Sequence, residues 1–363
     1  MKILLIGEYS GLYNNLRDGL RALGNEVVLA STGDGFKAFP SDISFGNGSL
    51  RGKMILLYTL LTKRKLFKGY DAVFLVNAKF INNLFITKWF YNFILRNNKS
   101  IFLSAAGDDS IYFEYWLKNP YEEFNLYFQD LKKYDGYVHS KKWGNARTII
   151  WNKKLIKLVN GVIPIMYEYH LPYINFSNCY SSIPIPINVD KIPYSKNNIE
   201  NNKIVIFHGL NRIGAKGTIY IQKAFSILKD KYPDDLELII DGHMSFERYQ
   251  EIIKRVNIVV DQTHSHSLAV NALVSMAMGK VVLGGATPLA FEEMKYQFNP
   301  AINISSTTES IISAVEFLIQ NKMMIPEIGY QSRLFVEKHH HYISVARSYV
   351  DCINKYNNLK DNS

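Results

Sequence analysis

Along this chain, continuous apolar runs alternate with stretches whose apolar residues recur every three or four positions. The chain opens with KILLIG at 2–7, an apolar run ending in glycine. Such runs are strands covered on both faces, as in a parallel sheet. Leu12, Leu16, Leu20 and Leu23 follow at helical spacing, with Gly24 as a stop. Residues 26–30, EVVLA, read as a second strand. Strand, helix and strand in succession predict an α/β sheet. Further strands are predicted at 72–76, 100–104, 136–139, 161–165 and 183–187, and helices at 78–96, 120–132 and 141–158.

Residues 188–202 are polar, with Pro193 and five asparagines, and read as a linker. A second series then begins. Strands are predicted at 203–207, 236–240, 258–260, 280–283 and 301–304. Helices are predicted at 217–232, 246–254, 269–278 and 308–321, with a long final helix over 330–356 and a fraying tail beyond. The expected organisation is an N-terminal Rossmann-like domain at 1–190, a linker at 191–202, and a C-terminal Rossmann-like domain at 203–335. A terminal helix and tail fill 336–363. The fold class is α/β, with two doubly wound domains facing across a cleft. In such sheets ligands bind in loops beyond the carboxyl ends of the strands.

Composition narrows the function classes. With 363 residues, 47% hydrophobic and 20% charged, the chain is globular rather than disordered. Cys179 and Cys352 are too few for a disulfide framework or a thiolate zinc site, which points to a reducing, cytoplasmic setting. No apolar run reaches the length of a membrane span. The net charge is +10, and it is uneven. Residues 43–107 carry +9 and residues 136–167 carry +6, leaving −5 for the remainder. In the first half Lys63, Arg64, Lys65 and their basic neighbours interleave with apolar and aromatic residues. That mixture suits an anionic membrane surface; a solvated face is the plainer reading. No nucleic-acid motif is present, so nucleic acid is not an expected partner.

Two segments carry candidate chemistry. The first runs from His208 to Thr218, where a strand ends and a helix begins. Arg212 and Lys216 lie four apart and can reach one anion, and helix N-terminal N–H groups add positive potential. Gly209 and Gly217 allow a tight turn and close backbone approach. The site suits a diphosphate, although the P-loop spacing is absent. The second segment runs from Asp261 to Lys280, again a strand end and a helix start. Asn271 is placed to bond a ribose or sugar hydroxyl, or else to cap its helix. Ala272, Ser275, Met276 and Gly279 form a small-residue packing face. His264 and His266 lack the acidic company of a metal site, and His339–His341 read as surface. No metal site or cofactor is expected. No GxGxxG follows a predicted strand, which disfavours a nicotinamide dehydrogenase.

Taken in order, these motifs resemble those of GT-B-fold glycosyltransferases, specifically the retaining, family-4-like group that builds bacterial surface polysaccharides. The opening from Gly7 to Val27 is similar to their acceptor-domain start. Arg212-x-x-x-Lys216-Gly217 is similar to their donor-diphosphate element. Asn271–Gly279 resembles their nucleotide helix, and PINVD at 186–190 the turn before their second domain. The likeness spans essentially the whole chain. It implies transfer of a sugar, with retention, from a nucleotide sugar to a saccharide acceptor; the +15 of the first half adds the expectation of a lipid-linked acceptor, with the cytoplasmic enzyme peripheral to the inner face of the membrane.

The resemblance also implies roles. Arg212 and Lys216 would clamp the diphosphate, while Gly209, Asn211, Gly217, His266, Ser267 and Asn271 would surround the donor. Gly7, Ser10 and Gly11 would line the acceptor side. Two glutamates eight apart flank the family's nucleotide helix; here those positions hold His266 and Val274. Where the family places a histidine, this chain reads SAAGDD at 104–109, so Asp108 would contact sugar or acceptor, or cap the next helix. Glu8 is a candidate base or an ordinary loop carboxylate. The chain has no Asp-x-Asp, so charge on the leaving diphosphate would fall to fixed cations and helix dipoles. A nucleotide-sugar epimerase of the same shape and a non-catalytic binding module are the rival readings.

Overall fold

The computed structural model describes residues 1–119, 129–130, 133, 141–210, 213–242 and 246–361. The strand predicted at 136–139 and most of the helix predicted at 120–132 lie outside the described residues. The first half contains β1 (Lys2–Ile6), α1 (Leu12–Ala22), β2 (Glu26–Ser31), β3 (Ile43–Ser44), α2 (Leu50–Thr62), β4 (Ala72–Leu75), α3 (Leu84–Asn97), β5 (Ser100–Ala105), α4 (Ser110–Lys118), α5 (Ala146–Leu158), β6 (Gly161–Pro164) and a single turn α6 (Tyr167–His170). The second half contains β7 (Ile204–Gly209), α7 (Ile213–Lys216), α8 (Thr218–Lys231), β8 (Leu236–Asp241), α9 (Phe246–Arg255), β9 (Ile258–Val260), α10 (Val270–Ala277), β10 (Val281–Gly284), α11 (Pro288–Glu293), β11 (Ile302–Asn303), α12 (Thr308–Gln320), α13 (Ile325–His339) and α14 (Tyr342–Asp361).

These elements form two compact units. The first comprises residues 1–115, 140–188 and 340–363, and the second 116–139 and 189–339. The units are therefore interleaved in sequence, whereas the pattern alone suggests consecutive domains. In the first unit a parallel sheet runs β3-β2-β1-β4-β5-β6. Ile3 to Ile6 are all sealed from solvent, as a strand covered on both faces requires. One cover is α14. Its Tyr349 meets Phe74 of β4 edge-on, and its Tyr356 meets Phe102 of β5. A Cβ on Gly19 of α1 would stand 2.3 Å from the carbonyl oxygen of Tyr342, so glycine is what lets these two helices touch. In the second unit the parallel order is β11-β10-β9-β7-β8.

Several expectations are corrected. Residues 183–187 form no strand; Ile187 alone bridges to His341. The single final helix is two, α13 and α14. The chain leaves the second unit for the first between them, and His340 Nδ1 is fixed there by the carbonyl of Ile185. The supposed linker is partly core: Asn197 is buried, its Nδ2 donating to the backbone carbonyl of Asn257 and its Oδ1 accepting from the Asn257 amide in the second unit. The tail expected to fray is helical to Asp361. Finally, α2 was not expected as a helix. It is apolar nearly all round, so no 3.6-residue stripe announces it, although Ser49 caps it by accepting from the N–H of Gly52.

Each sheet reverses its winding once. In the first, β1 has β2 on one side and β4 on the other. In the second, β7 lies between β8 and β9. At such a switch point the loops leaving neighbouring strands diverge and open a crevice beyond the carboxyl ends. The chemistry-bearing loops follow β1, β4 and β5 in one unit and β7 and β9 in the other.

Candidate functional site

In the second unit, β7 ends at His208 and Gly209. His208 is buried, with Nδ1 bonded to the carbonyl of Val260 and Nε2 to the hydroxyl of Thr218. Burial, then the nearby Lys216 charge, holds its pKa down to about 4, so it is a neutral strut between β9 and the start of α8. Lys216 closes α7, and its ammonium lies 3.2 Å from Asp261 Oδ1. Gly217 then takes φ +65°, and a Cβ there would sit 2.1 Å from Thr263 Oγ1. Only glycine permits this turn, which presses the loop after β7 onto the loop after β9 and so sets Lys216 beside Asp261.

Asp261, at the end of β9, is buried and accepts from both Lys216 and Asn271 Nδ2, the latter at 3.1 Å. Asn271 therefore does not cap α10; the cap position is Ala269. One carboxylate oxygen in the crevice is thus within hydrogen-bond reach of both an ammonium and an amide. A cation held by one buried carboxylate is positioned but not saturated. Lys216 is thereby oriented, with the start of α8 adjoining. Asp261 is the residue that sequence reasoning missed, having weighed it only as a metal partner.

The other residues expected to surround a donor are placed as follows. Arg212 and Asn211 lie outside the described residues. His266 is buried with Nδ1 3.1 Å from Thr287 Oγ1, and Ser267 donates its N–H to Ser265 Oγ. His264 spans Asp130 and Ser306 through its two nitrogens, at 2.8 Å each. Both histidines thus have protein partners, and among the described residues no three His, Cys, Asp or Glu side chains converge as a metal site would require.

In the first unit the loop after β1 carries Gly7, Glu8, Ser10 and Gly11. Gly7 adopts φ +93° against Val76. Glu8 is buried and uses both oxygens on the start of α1, accepting from the N–H groups of Tyr13 and Asn14 and from the Asn14 amide. Burial raises its pKa against those hydrogen bonds. It is a capping carboxylate, with its lone pairs engaged, rather than a free base. Ser10 donates its N–H to Asp34 and accepts from Lys37, which ties the same loop to the one after β2. Gly11, at φ +87°, occupies the cap position of α1.

The doublet after β5 also divides. Asp109 is the cap: its Oδ1 accepts from the N–H groups of Ile111 and Tyr112, and its Oδ2 from the Tyr173 hydroxyl. Burial pushes its pKa up to about 6. Asp108 does not cap this helix; it is half-exposed, and its carbonyl accepts from Asn77 Nδ2.

No family model and no curated protein matches the chain in sequence. Solved structures do match it, end to end. The Anabaena protein HepE, in complex with UDP and glucose, is similar with a TM-score of 0.59 at 11% identity, over 98% of this chain and 100% of that one. Sucrose-phosphate synthase from Thermosynechococcus elongatus gives 0.60 at 11% identity over 100% of both chains. A glycosyltransferase from Rickettsia africae gives 0.57 at 12% identity over 98% of both. The fold is accordingly GT-B, two Rossmann-like units each with a parallel sheet, as the sequence resemblance implied.

Proposed function

We propose that the chain is a glycosyltransferase that takes its sugar from a nucleotide-sugar donor bound at the crevice of the second unit. The observation that carries this reading is the Lys216–Asp261–Asn271 cluster at the switch point, in a fold shared over its full length with a protein holding UDP and glucose. In the reaction an acceptor hydroxyl bonds to the anomeric carbon and the bond from that carbon to the diphosphate breaks. The nucleoside diphosphate leaves with the developing negative charge, and the hydroxyl proton is released. Lys216, joined by Arg212, neutralises that charge, and the start of α8 adds its dipole. Retention of configuration is part of this proposal and rests on the family resemblance.

A thermal-shift panel of UDP, GDP, ADP and their sugars tests the reading. A nucleotide present at about 100 times its dissociation constant adds about 2.7 kcal/mol of stability. Absence of any shift across the panel overturns nucleotide-sugar binding. Consumption of a nucleotide sugar without added acceptor, yielding an epimeric nucleotide sugar, would mean epimerisation instead.

The acceptor side faces a membrane in this proposal. Helix α2 buries only Gly52, Leu56, Thr59 and Leu60 and presents Leu50 (80% exposed), Met54 (71%), Leu57, Tyr58 and Leu61 to solvent. Phe85 of α3 is 81% exposed nearby in sequence, and Trp89 has Arg64 over its ring at 6.0 Å. Arg51, Lys53, Lys63, Lys65 and Lys68 are exposed among these apolar groups. No described helix is long and apolar enough to cross a bilayer. The mixture instead supports a peripheral enzyme acting on a saccharide or lipid-linked acceptor at the inner, anionic face of the cell membrane. Replacing Lys63, Arg64 and Lys65 by alanine is expected to weaken binding to phosphatidylserine vesicles by about 3 kcal/mol at low ionic strength, at about 1 kcal/mol per charge. The loss should shrink as salt rises. Unchanged sedimentation with the vesicles would remove this patch from the account.

A further inference from the structure

The loop after β4 holds a second cation of a different kind. Lys79 is only 8% exposed. Its ammonium stands over the Trp143 ring at 4.1 Å, and Lys142 stands over the same ring at 5.4 Å. Among the described residues no carboxylate and no hydrogen-bond acceptor meets the Lys79 ammonium, and the only charge acting on it is that of Lys142. It is nevertheless not among the sealed polar atoms of the core.

The loop around it is pinned. Asn77 donates to the carbonyls of Ala106 and Asp108, and its own carbonyl accepts from the Tyr91 hydroxyl. The Trp151 indole donates to the carbonyl of Ala78, and the Lys79 N–H donates to Asn77 Oδ1. A buried cation without a counter-ion is costly to keep. An aromatic face recovers only part of that cost. Here a rigid loop holds such a cation at the first unit's switch-point crevice, where ligands bind in sheets of this kind.

We propose that Lys79, Trp143 and Lys142 form an anion site for a phosphate group. Two ammoniums against one indole, close enough for Lys142 to act on Lys79, suit a dianionic phosphate better than a carboxylate, and lysine binds phosphate as a point charge. The site stands on the first unit's own residues. Joined to the glycosyl-transfer reading, on which this last step rests, it names the acceptor class: a molecule carrying a phosphate or diphosphate, with the ion held by Lys79 while a neighbouring hydroxyl receives the sugar.

The test is calorimetric titration of inorganic phosphate and of hexyl phosphate at matched ionic strength. The proteins are the wild type, Lys79→Met, Lys142→Ala and Lys216→Met. Loss of tenfold or more in phosphate affinity in Lys79→Met, with affinity kept in Lys216→Met, supports the site. Tighter binding of hexyl phosphate points to a lipid-borne phosphate, and equal binding to a free anion; both support it. Binding that persists in Lys79→Met and vanishes in Lys216→Met belongs to the donor crevice and overturns the proposal. Should Lys79→Met not fold, the exposed Lys142→Ala decides, because unchanged phosphate affinity there also overturns it. The probes carry neither sugar nor nucleotide, so failure of the glycosyl-transfer reading leaves this result interpretable.

Discussion

Replacing Lys216 by methionine is expected to lower sugar transfer by roughly 100- to 1,000-fold. That is the effect of removing one preorganised donor to a developing oxyanion, about 2.7–4 kcal/mol. Asp261 makes the variant informative in a second way. Its side chain is 3% exposed, and without Lys216 it keeps only the Asn271 amide among its described partners. A buried carboxylate stripped of its cation destabilises the fold, by up to about 3–5 kcal/mol when both partners are fully buried and by less here, where Lys216 is partly exposed. It also repels the incoming diphosphate. The double variant Lys216→Met, Asp261→Asn should therefore regain stability and part of the nucleotide affinity while transfer stays low. Steady-state kinetics alongside melting curves separate the two effects. Transfer within a few-fold of wild type in a folded Lys216→Met protein would remove this residue from the chemistry.

Lys79→Met should do the opposite to stability. Burial, with Lys142 adding to it, depresses the Lys79 pKa from 10.5 to about 8. The unfolded chain then binds the proton more tightly than the native state, and the native state is penalised wherever the lysine is charged. That penalty, at most about 3 kcal/mol at 1.36 per pKa unit and less to the extent that water reaches the ammonium, is full below pH 8 and fades as pH rises toward 10.5. An apolar side chain of similar length should thus raise the melting temperature at pH 7, and the gain should shrink through that window. Saturating phosphate should stabilise the wild type and leave the variant unmoved. Chemical denaturation at pH 7 and pH 10 measures both. A variant less stable than wild type at pH 7 would mean that packing of the lysine stem outweighs its charge.

Much of the framework was legible because it rests on local periodicity. The KILLIG run, the leucines of α1 and the EVVLA run gave the opening of the first sheet, and the small residues of α10 marked a close-packed helix. What could not be read depends on contacts made far along the chain. Asp108 and Asp109 are chemically identical neighbours, and only the backbone direction after β5 decides which one caps α4. Asp261 pairs with Lys216 across 45 positions, and that pairing exists only once β7 and β9 lie side by side. Lys79 was visible as charge, but its burial comes from Trp143 in a different part of the first unit. The break between α13 and α14 is likewise tertiary, since nothing in the local sequence demands it and the bond from His340 to Ile185 does.

The placement of α14 bears on how the protein is made. The sheet face bearing Phe74 and Phe102 is translated early, whereas the tyrosines that cover it, Tyr349 and Tyr356, emerge from the ribosome only after the entire second unit has been synthesised. During that interval the nascent chain carries a naked, sticky aromatic surface. Chaperone dependence in this protein should therefore trace to the portion made first, and a fragment ending before residue 340 should aggregate even though it contains every strand of that sheet.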